Sequence, residues 1–263
     1  MRKLISLFLF VIIFLAGCGT NQHTVIDWVD FVKWDGTMYD GIYSGVISDE
    51  KHIGEKIGEV QFRVADNVSD PEYKVKDGDA AFHEKGTDIY KVKGYPHVIA
   101  VKSTRAIHKY QLYYSREHTK NKWNYKYLPL EKVNKIEIYQ AATIEENKQI
   151  TEINTPEEVS RFLEILRNSQ DSPNFEPNTE NGDPTYYKMV LYTGEPIAYM
   201  FDLMYDGKTY YWYPSEPATL SNDMQTFLRK ILGTVPRRSN ALTLWGTVPH
   251  KEQPFNKPFV HYP

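Results

Sequence analysis

The sequence predicts an α+β protein in which a β-rich N-terminal module precedes an antiparallel sheet with two helices. Short β-branched and aromatic runs, broken by Gly, Pro, Asn and Asp, fill the first half of the chain and are typical of strands and turns. The second half adds two segments with one apolar stripe each, which indicates helices lying on one face of a sheet. We therefore divide the chain into a leader (1–17), a β-rich module (18–130), an α+β module (131–233) and a Pro-rich irregular tail (234–263).

Strands account for all the regular structure expected in the first module. They are predicted at Val25–Trp34, Lys56–Val64, Thr87–Val92, Val98–Ser103, Ile107–Tyr114 and Trp123–Leu128. Alternation is clearest in the second of these, where Gly58, Val60, Phe62 and Val64 share one side. Because side chains alternate across a strand, we expect one buried face and one mostly wet face.

The helices of the second module have marked ends. Thr155-Pro156-Glu157-Glu158 combines an N-cap, a Pro at the first helical position and a Glu three residues after the cap, which predicts a helix of about fourteen residues. Its apolar stripe consists of Val159, Phe162, Leu163 and Leu166. Ser221 is expected to cap a final helix whose stripe is Met224, Phe227, Leu228, Ile231 and Leu232, with Gly233 as its end.

Strands surround the first of these helices. They are predicted at Val133–Gln140, Gln149–Ile153, Tyr186–Thr193, Pro196–Tyr205 and Lys208–Tyr213. Asp206-Gly207 joins the last two and indicates a hairpin with a type I′ turn. The face of this sheet away from the helices is then open to solvent, to the first module or to a ligand.

The tail holds five of the fifteen prolines, and this spacing is incompatible with a continuous helix or a central strand. We interpret it as a flexible terminus, with a partner-binding segment as the alternative.

The N-terminus carries the motif that indicates location. Arg2 and Lys3 precede an apolar run, Leu4–Leu15, interrupted only by Ser6, and a run this short is typical of a secretory signal, not of a membrane-spanning helix. It ends at Leu15-Ala16-Gly17-Cys18, which resembles the lipobox of bacterial lipoproteins. The resemblance implies cleavage before Cys18, a diacylglyceryl group on its thiol and retention on the extracytoplasmic face of the cell membrane. An ordinary secretory signal and an uncleaved anchor are the alternatives.

A second resemblance covers about twenty residues. The segment from Asp77-Gly78-Asp79 to Lys93-Gly94-Tyr95 is similar to a pattern of uncharacterised extracytoplasmic lipoproteins and secreted proteins of Gram-positive bacteria. It implies no reaction, cofactor or site.

Catalytic patterns are incomplete in this sequence. His83-Glu84 begins like a zinc-protease signature, but Thr87 stands where the second His belongs. Ser48-Asp49-Glu50-Lys51 has the Ser-x-x-Lys spacing of penicillin-binding enzymes, but it lies in a charged stretch and no Lys-Thr-Gly follows it. Asp77 and Asp79 are interpreted as turn residues beside Gly78, with half of a calcium or glycosidase site as the alternative. We expect no metal and no cofactor.

The aromatic density of the second module indicates candidate binding residues. Strand alternation places Tyr199 and Tyr205 on one face, and Tyr210 and Trp212 on one face of the neighbouring strand. These four residues, here called the aromatic row, form either an exposed surface for a glycan or peptide or the core beneath the helices. Tyr211 and Tyr213 must point the other way, so we expect at least one face to be incompletely buried.

These observations favour a non-enzymatic, lipid-anchored extracytoplasmic protein that acts in binding, sensing or envelope assembly. Its expected partners are the membrane, through the lipid, and an envelope glycan, a peptide or a membrane protein. Nucleic acid is not expected, because 31 Lys and Arg face 34 Asp and Glu. The alternative is a cell-envelope hydrolase acting on peptidoglycan or peptides, which a cleft with two carboxylates or a Ser/His pair would favour.

Overall fold

Two β-sheets and two helices form the α+β fold that the sequence predicts. The computed structural model describes residues 26–141, 147–180 and 182–228. The predicted leader with Cys18, the tail, and Ile231, Leu232 and Gly233 of the final helix lie outside the described residues. The division into modules stays a prediction.

The first sheet curls until its two edges meet. The described strands of the first half of the chain are β1 (Phe31–Trp34), β2 (Thr37–Ile42), β3 (Gly45–Ile47), β4 (Ile53–Glu59), β5 (Phe62–Arg63), β6 (Asp79–Ala80), β7 (Asp88–Val92), β8 (Tyr95–Lys102) and β9 (Tyr110–Ser115). All of them except β3 belong to this first sheet. The order is β4-β7-β8-β9-β2-β1-β6-β5. Only Val60 and Gln61 separate the two edge strands, β4 and β5, so one continuous segment joins both edges. We call this curled sheet and the side chains that fill its interior the closed sheet.

Backbone hydrogen bonds show how the segment passes from one edge to the other. Val60 N donates to Thr87 O at 2.9 Å and thereby continues the pairing with β7, whereas Gln61 N donates to Gly78 O at 2.8 Å, next to β6. The predicted strand Lys56–Val64 is therefore interrupted where it changes partners.

The second sheet is antiparallel. Its other strands are β10 (Lys135–Ala141), β11 (Asn147–Ile153), β12 (Gln170–Asp171), β13 (Thr185–Tyr192), β14 (Ile197–Tyr205), β15 (Tyr210–Trp212) and β16 (Ala218–Leu220). The order is β11-β10-β13-β14-β15-β16-β12, and β3 pairs with the start of β14. A strand from the first half of the chain thus belongs to the second sheet.

The helices confirm the predicted caps. Helix α1 (Pro156–Arg167) begins after Thr155, whose hydroxyl accepts a hydrogen bond from Glu158 N, and it buries the predicted stripe. A 3-10 turn (Asn222–Met224) capped by Ser221 leads into the short helix α2 (Gln225–Leu228). Both helices pack on one face of the second sheet, as predicted.

Two local predictions are wrong. Trp123–Leu128 is not a strand: a 3-10 turn covers Tyr125–Tyr127, and the buried Trp123 packs between the closed sheet and β14. The hairpin at Asp206-Gly207 exists, but its loop has four residues because Tyr205 pairs with Tyr210. The carboxylate of Asp206 accepts hydrogen bonds from Lys208 N and Thr209 N and organises this wider loop.

Further 3-10 turns in the described chain lie at Glu50–His52, Ile107–Lys109 and Leu130–Lys132. The second of them packs on the face of the second sheet away from the helices, against Val190 and Ala198. The first half of the chain therefore covers part of that face.

Candidate ligand-binding site

Two residues of the aromatic row are buried in the core of the second sheet. Tyr210 is 4% exposed and Trp212 is 0% exposed. The Trp212 ring meets Tyr125 and Phe201 edge to face, at centroid distances of 4.7 and 5.8 Å. An exposed binding surface at these two positions is wrong, because helix α1 covers the face from which they project.

The other two residues of the row are half-buried and engaged by the protein itself. Tyr199 donates its hydroxyl hydrogen to Tyr127 O at 3.0 Å. Tyr205 stacks on Tyr210 with ring centroids 4.3 Å apart and donates to Gly207 O at 2.8 Å. Tyr205, Tyr210 and Trp212 thus lie together and pack in the core of the second sheet, while Tyr199 lies further along β14.

Exposed tyrosines of this sheet lie on its opposite face, as strand alternation predicts. Tyr186 is 55% exposed and Tyr213 is 36% exposed, whereas Tyr211 between them is buried under Phe175. In the described residues, none of these three rings lines the cavity beside helix α1 or either of the cavities lined by Trp34 and by Tyr43.

A cavity of about 530 Å³ opens at one end of the closed sheet. Trp34 and Tyr39 line it, with Ile57 and Ile99 as its apolar floor. All four also pack on the interior core of the closed sheet. The mouths of closed sheets are a common place for ligand sites, because side chains fill the middle but not the ends.

Two glycines hold the Trp34 ring at this mouth. Trp34 pairs with Thr37 across the two-residue turn Asp35-Gly36, and both turn residues have positive φ, at 49° and 72°, as a type I′ turn requires. The indole lies across β4 at Gly58, where an added Cβ would be 1.9 Å from the ring. A glycine is needed at residue 58 for this close approach.

Charged side chains stand around the rim of the cavity. Asp35, Asp77 and Lys91 line it, and Asp77 Oδ1 accepts a hydrogen bond from Gly36 N at 2.9 Å. Burial and then the charge of Asp35 raise the pKa of Tyr39, so its hydroxyl keeps its proton. The mouth therefore offers two aromatic rings, one hydroxyl and two carboxylates to a ligand.

The opposite end of the closed sheet is filled by a polar chain. Tyr113 and Tyr43 donate their hydroxyl hydrogens to the two carboxylate oxygens of Asp30, both at 2.9 Å. His83 Nε2 lies 2.7 Å from the Tyr113 hydroxyl oxygen, to which it must donate because the tyrosine hydrogen is already used. Burial and then Arg63 lower the pKa of His83 to about 4, so this imidazole is neutral at pH 7. Burial raises the pKa of Asp30 despite the hydrogen bonds from both tyrosines.

A serine and a histidine do come within hydrogen-bonding distance. Ser115 Oγ is 2.8 Å from His118 Nδ1, and the His118 ring stacks on His97 with centroids 5.0 Å apart. Ser115 is fully buried, so a substrate has no access to its hydroxyl. This pair is three residues apart in sequence and stabilises the turn after β9, where Thr119 N donates to Ser115 O.

A buried carboxylate, that of Glu137, lies on the second sheet where His108 of the first half of the chain packs beside it. Glu137 accepts hydrogen bonds from Lys135 at 2.8 Å, from Tyr139 at 2.7 Å and from Tyr192. Burial alone would raise the pKa of Glu137, but these three donors outweigh burial and lower it. His108, whose Nδ1 lies 2.6 Å from Ile47 O, faces the same hydroxyls. The carboxylate is thus fully occupied by donors of the second sheet, and His108 of the first half packs beside them.

Sequence reasoning missed the mouth of the closed sheet. The available signal was Trp34-Asp35-Gly36-Thr37, a hairpin turn that places an aromatic ring at a strand end. Asp77 lies in a turn with Gly78, whose φ is 86°, as predicted, whereas Asp79 is the first residue of β6 and its carboxylate accepts hydrogen bonds from Tyr73 and from Lys76 N.

Comparisons with known proteins give no information about the function. No protein-family model, curated protein or solved structure matches this chain. No group of three or more His, Cys, Asp and Glu side chains in the described ranges is arranged to hold a metal ion. None of the described helices has the length and apolar character needed to cross a membrane.

Proposed function

We propose that this chain is a lipid-anchored, non-enzymatic binding protein of the cell envelope, whose ligand is a sugar unit of an envelope glycan held at the mouth of the closed sheet. The observation that carries the proposal is the cavity of about 530 Å³ lined by Trp34 and Tyr39. Flat aromatic rings stack on the apolar faces of sugars, and carboxylates such as Asp35 and Asp77 accept hydrogen bonds from sugar hydroxyls.

The binding proposal is tested by calorimetric titration of residues 19–263 with soluble oligosaccharides released from cell-wall glycan. We expect Trp34→Ala to weaken binding at least tenfold, which corresponds to about 1.4 kcal/mol. Tyr213→Ala is the matched control, because that ring is exposed on the second sheet and should leave the affinity unchanged. Equal affinities of the wild type and Trp34→Ala, or a loss confined to Tyr213→Ala, would contradict the site.

The anchoring part of the proposal is supported by the lipobox motif at Leu15-Ala16-Gly17-Cys18. Two acyl chains give stable membrane attachment where one chain does not. We expect Cys18→Ala to abolish labelling with a fatty-acid analogue and to release the protein from the membrane fraction. Unchanged retention of the variant would exclude lipidation at this residue, while the binding test stands apart from it.

One observation favours the hydrolase alternative, since Asp35 and Asp77 line the same cavity. A glycosidase needs one carboxyl group in an apolar environment so that it stays protonated, and both of these side chains are exposed. The binding protein is therefore the better conclusion. Reducing ends released from the glycan by the wild type, and lost in Asp35→Asn and Asp77→Asn, would instead establish a hydrolase.

A further inference from the structure

The mouth of the closed sheet has an unbalanced negative charge. Its one lining cation, Lys91, lies 2.6 Å from Glu55 on the neighbouring strand and is neutralised there. Among the ion pairs of the described residues, none involves Asp35 or Asp77. Two carboxylates therefore face the cavity beside the rings of Trp34 and Tyr39.

The lysines that precede Trp34 and Asp77 in the sequence, Lys33 and Lys76, have other partners. Lys33 donates to Val75 O at 3.2 Å, and Lys76 Nζ lies 5.9 Å from the centre of the Tyr73 ring. Neither lines the cavity, so the protein does not neutralise Asp35 and Asp77 from these positions.

Aromatic rings and carboxylates together favour one chemical class of ligand. An ammonium group is attracted to the face of an aromatic ring, and Trp is the best of the aromatic side chains for this interaction. Charge-assisted hydrogen bonds from an ammonium group to carboxylates are about twice as strong as neutral ones. A neutral sugar would use the rings but leave the two charges without a cation.

We propose that the mouth of the closed sheet recognises an amino sugar with a free, protonated amine, such as a glucosamine unit of a glycan. The ring of the sugar stacks on Trp34, and its ammonium group lies between Asp35 and Asp77. This inference rests on the proposed function and narrows its ligand class from any sugar to a cationic one.

The test uses two tetrasaccharides with the same linkage, β-1,4-linked glucosamine and β-1,4-linked N-acetylglucosamine. They differ in charge and acetylation alone. We expect residues 19–263 to bind the glucosamine tetramer at least tenfold more tightly, and the difference to shrink as salt is raised.

Two matched variants test whether the preference for the free amine depends on the carboxylates at the rim of the cavity. Asp77→Asn keeps an oxygen that accepts from Gly36 N, and Asp35→Asn keeps a residue that tolerates positive φ. Each should reduce the preference for the free amine several-fold while the thermal unfolding midpoint stays within about 2 °C.

The outcomes separate this inference from the proposed function. Equal, Trp34-dependent binding of both tetramers would overturn the charge preference and keep the glycan site. Binding of neither tetramer, with intact fold, would overturn both. A lysine-rich peptide that binds as tightly as the glucosamine tetramer would overturn the assignment of the amine to a sugar.

Discussion

The two sheets of this protein are filled in different ways. The second sheet lies under helix α1, and the face beneath it is a continuous apolar core that includes Trp212. The closed sheet has no helix over its interior in the described chain, so its own strands must supply the filling. Its middle is apolar, but one end is a cavity beside Trp34 and the other a chain of polar groups from Asp30 to His83.

This difference shows what decides whether a tryptophan binds a ligand or stabilises the fold. Trp34 and Trp212 are each the last residue of a β-strand. Helix α1 excludes water from Trp212, whereas the curvature of the closed sheet leaves Trp34 at the open end of a cavity. The comparison predicts that truncation of Trp212 mainly lowers stability, whereas truncation of Trp34 mainly weakens binding.

The largest expected effect is the loss of stability in Trp212→Ala. Removing a fully buried large aromatic side chain leaves a cavity and costs about 3–5 kcal/mol, measured as the free energy of unfolding in urea. Trp34→Ala, at the partly open mouth, should cost less than half of that and should weaken glycan binding instead. Comparable losses of stability in the two variants would break the comparison.

Local signals predicted much of the second sheet and its helices. The four residues Thr155-Pro156-Glu157-Glu158 are enough to predict the start of α1. Strand alternation correctly places Tyr210 and Tyr211 on opposite faces of the second sheet. Whether a helix covers that face depends on contacts between distant segments, and strand alternation carries no information about it.

The closed sheet was much harder to predict. Its closure depends on Val60 and Gln61, where one segment exchanges β7 for β6, and short strands such as Asp79–Ala80 have no periodicity to detect. The type I′ turn was expected at Asp206-Gly207 but occurs at Asp35-Gly36, because a dipeptide alone does not fix the length of a loop. The mouth, and with it the candidate site, therefore emerged only from the structure.

A smaller effect is expected from acid, and it should act through the closed sheet. His83 has a pKa of about 4 in the folded chain against 6.5 as its ordinary value, so the unfolded chain takes up the proton first. Stability from neutral His83 is complete above pH 6.5 and declines as the pH falls, by about 2 kcal/mol at pH 5.

The measurement is the free energy of unfolding at pH 7 and pH 5 for the wild type and for His83→Gln. Glutamine still donates to the Tyr113 hydroxyl but does not titrate, so the variant should lose less stability on acidification. The difference between the two proteins isolates His83 from the other histidines. Identical pH dependence in both would show that the polar end of the closed sheet does not respond to acid.

The smallest expected effect on stability comes from Gly58→Ala, which sharpens the assignment of the binding end. The added Cβ would stand 1.9 Å from the far edge of the Trp34 ring, so the ring must rotate away. Because the Trp34 ring lines the cavity and has room to rotate into it, we expect a cost of only about 1 kcal/mol, together with a loss of glycan affinity close to that of Trp34→Ala. Tyr213→Ala, whose ring is exposed on the second sheet, is again the control and should keep the affinity. Full binding by Gly58→Ala would mean that the position of the indole does not matter to the ligand, and the site would have to lie elsewhere.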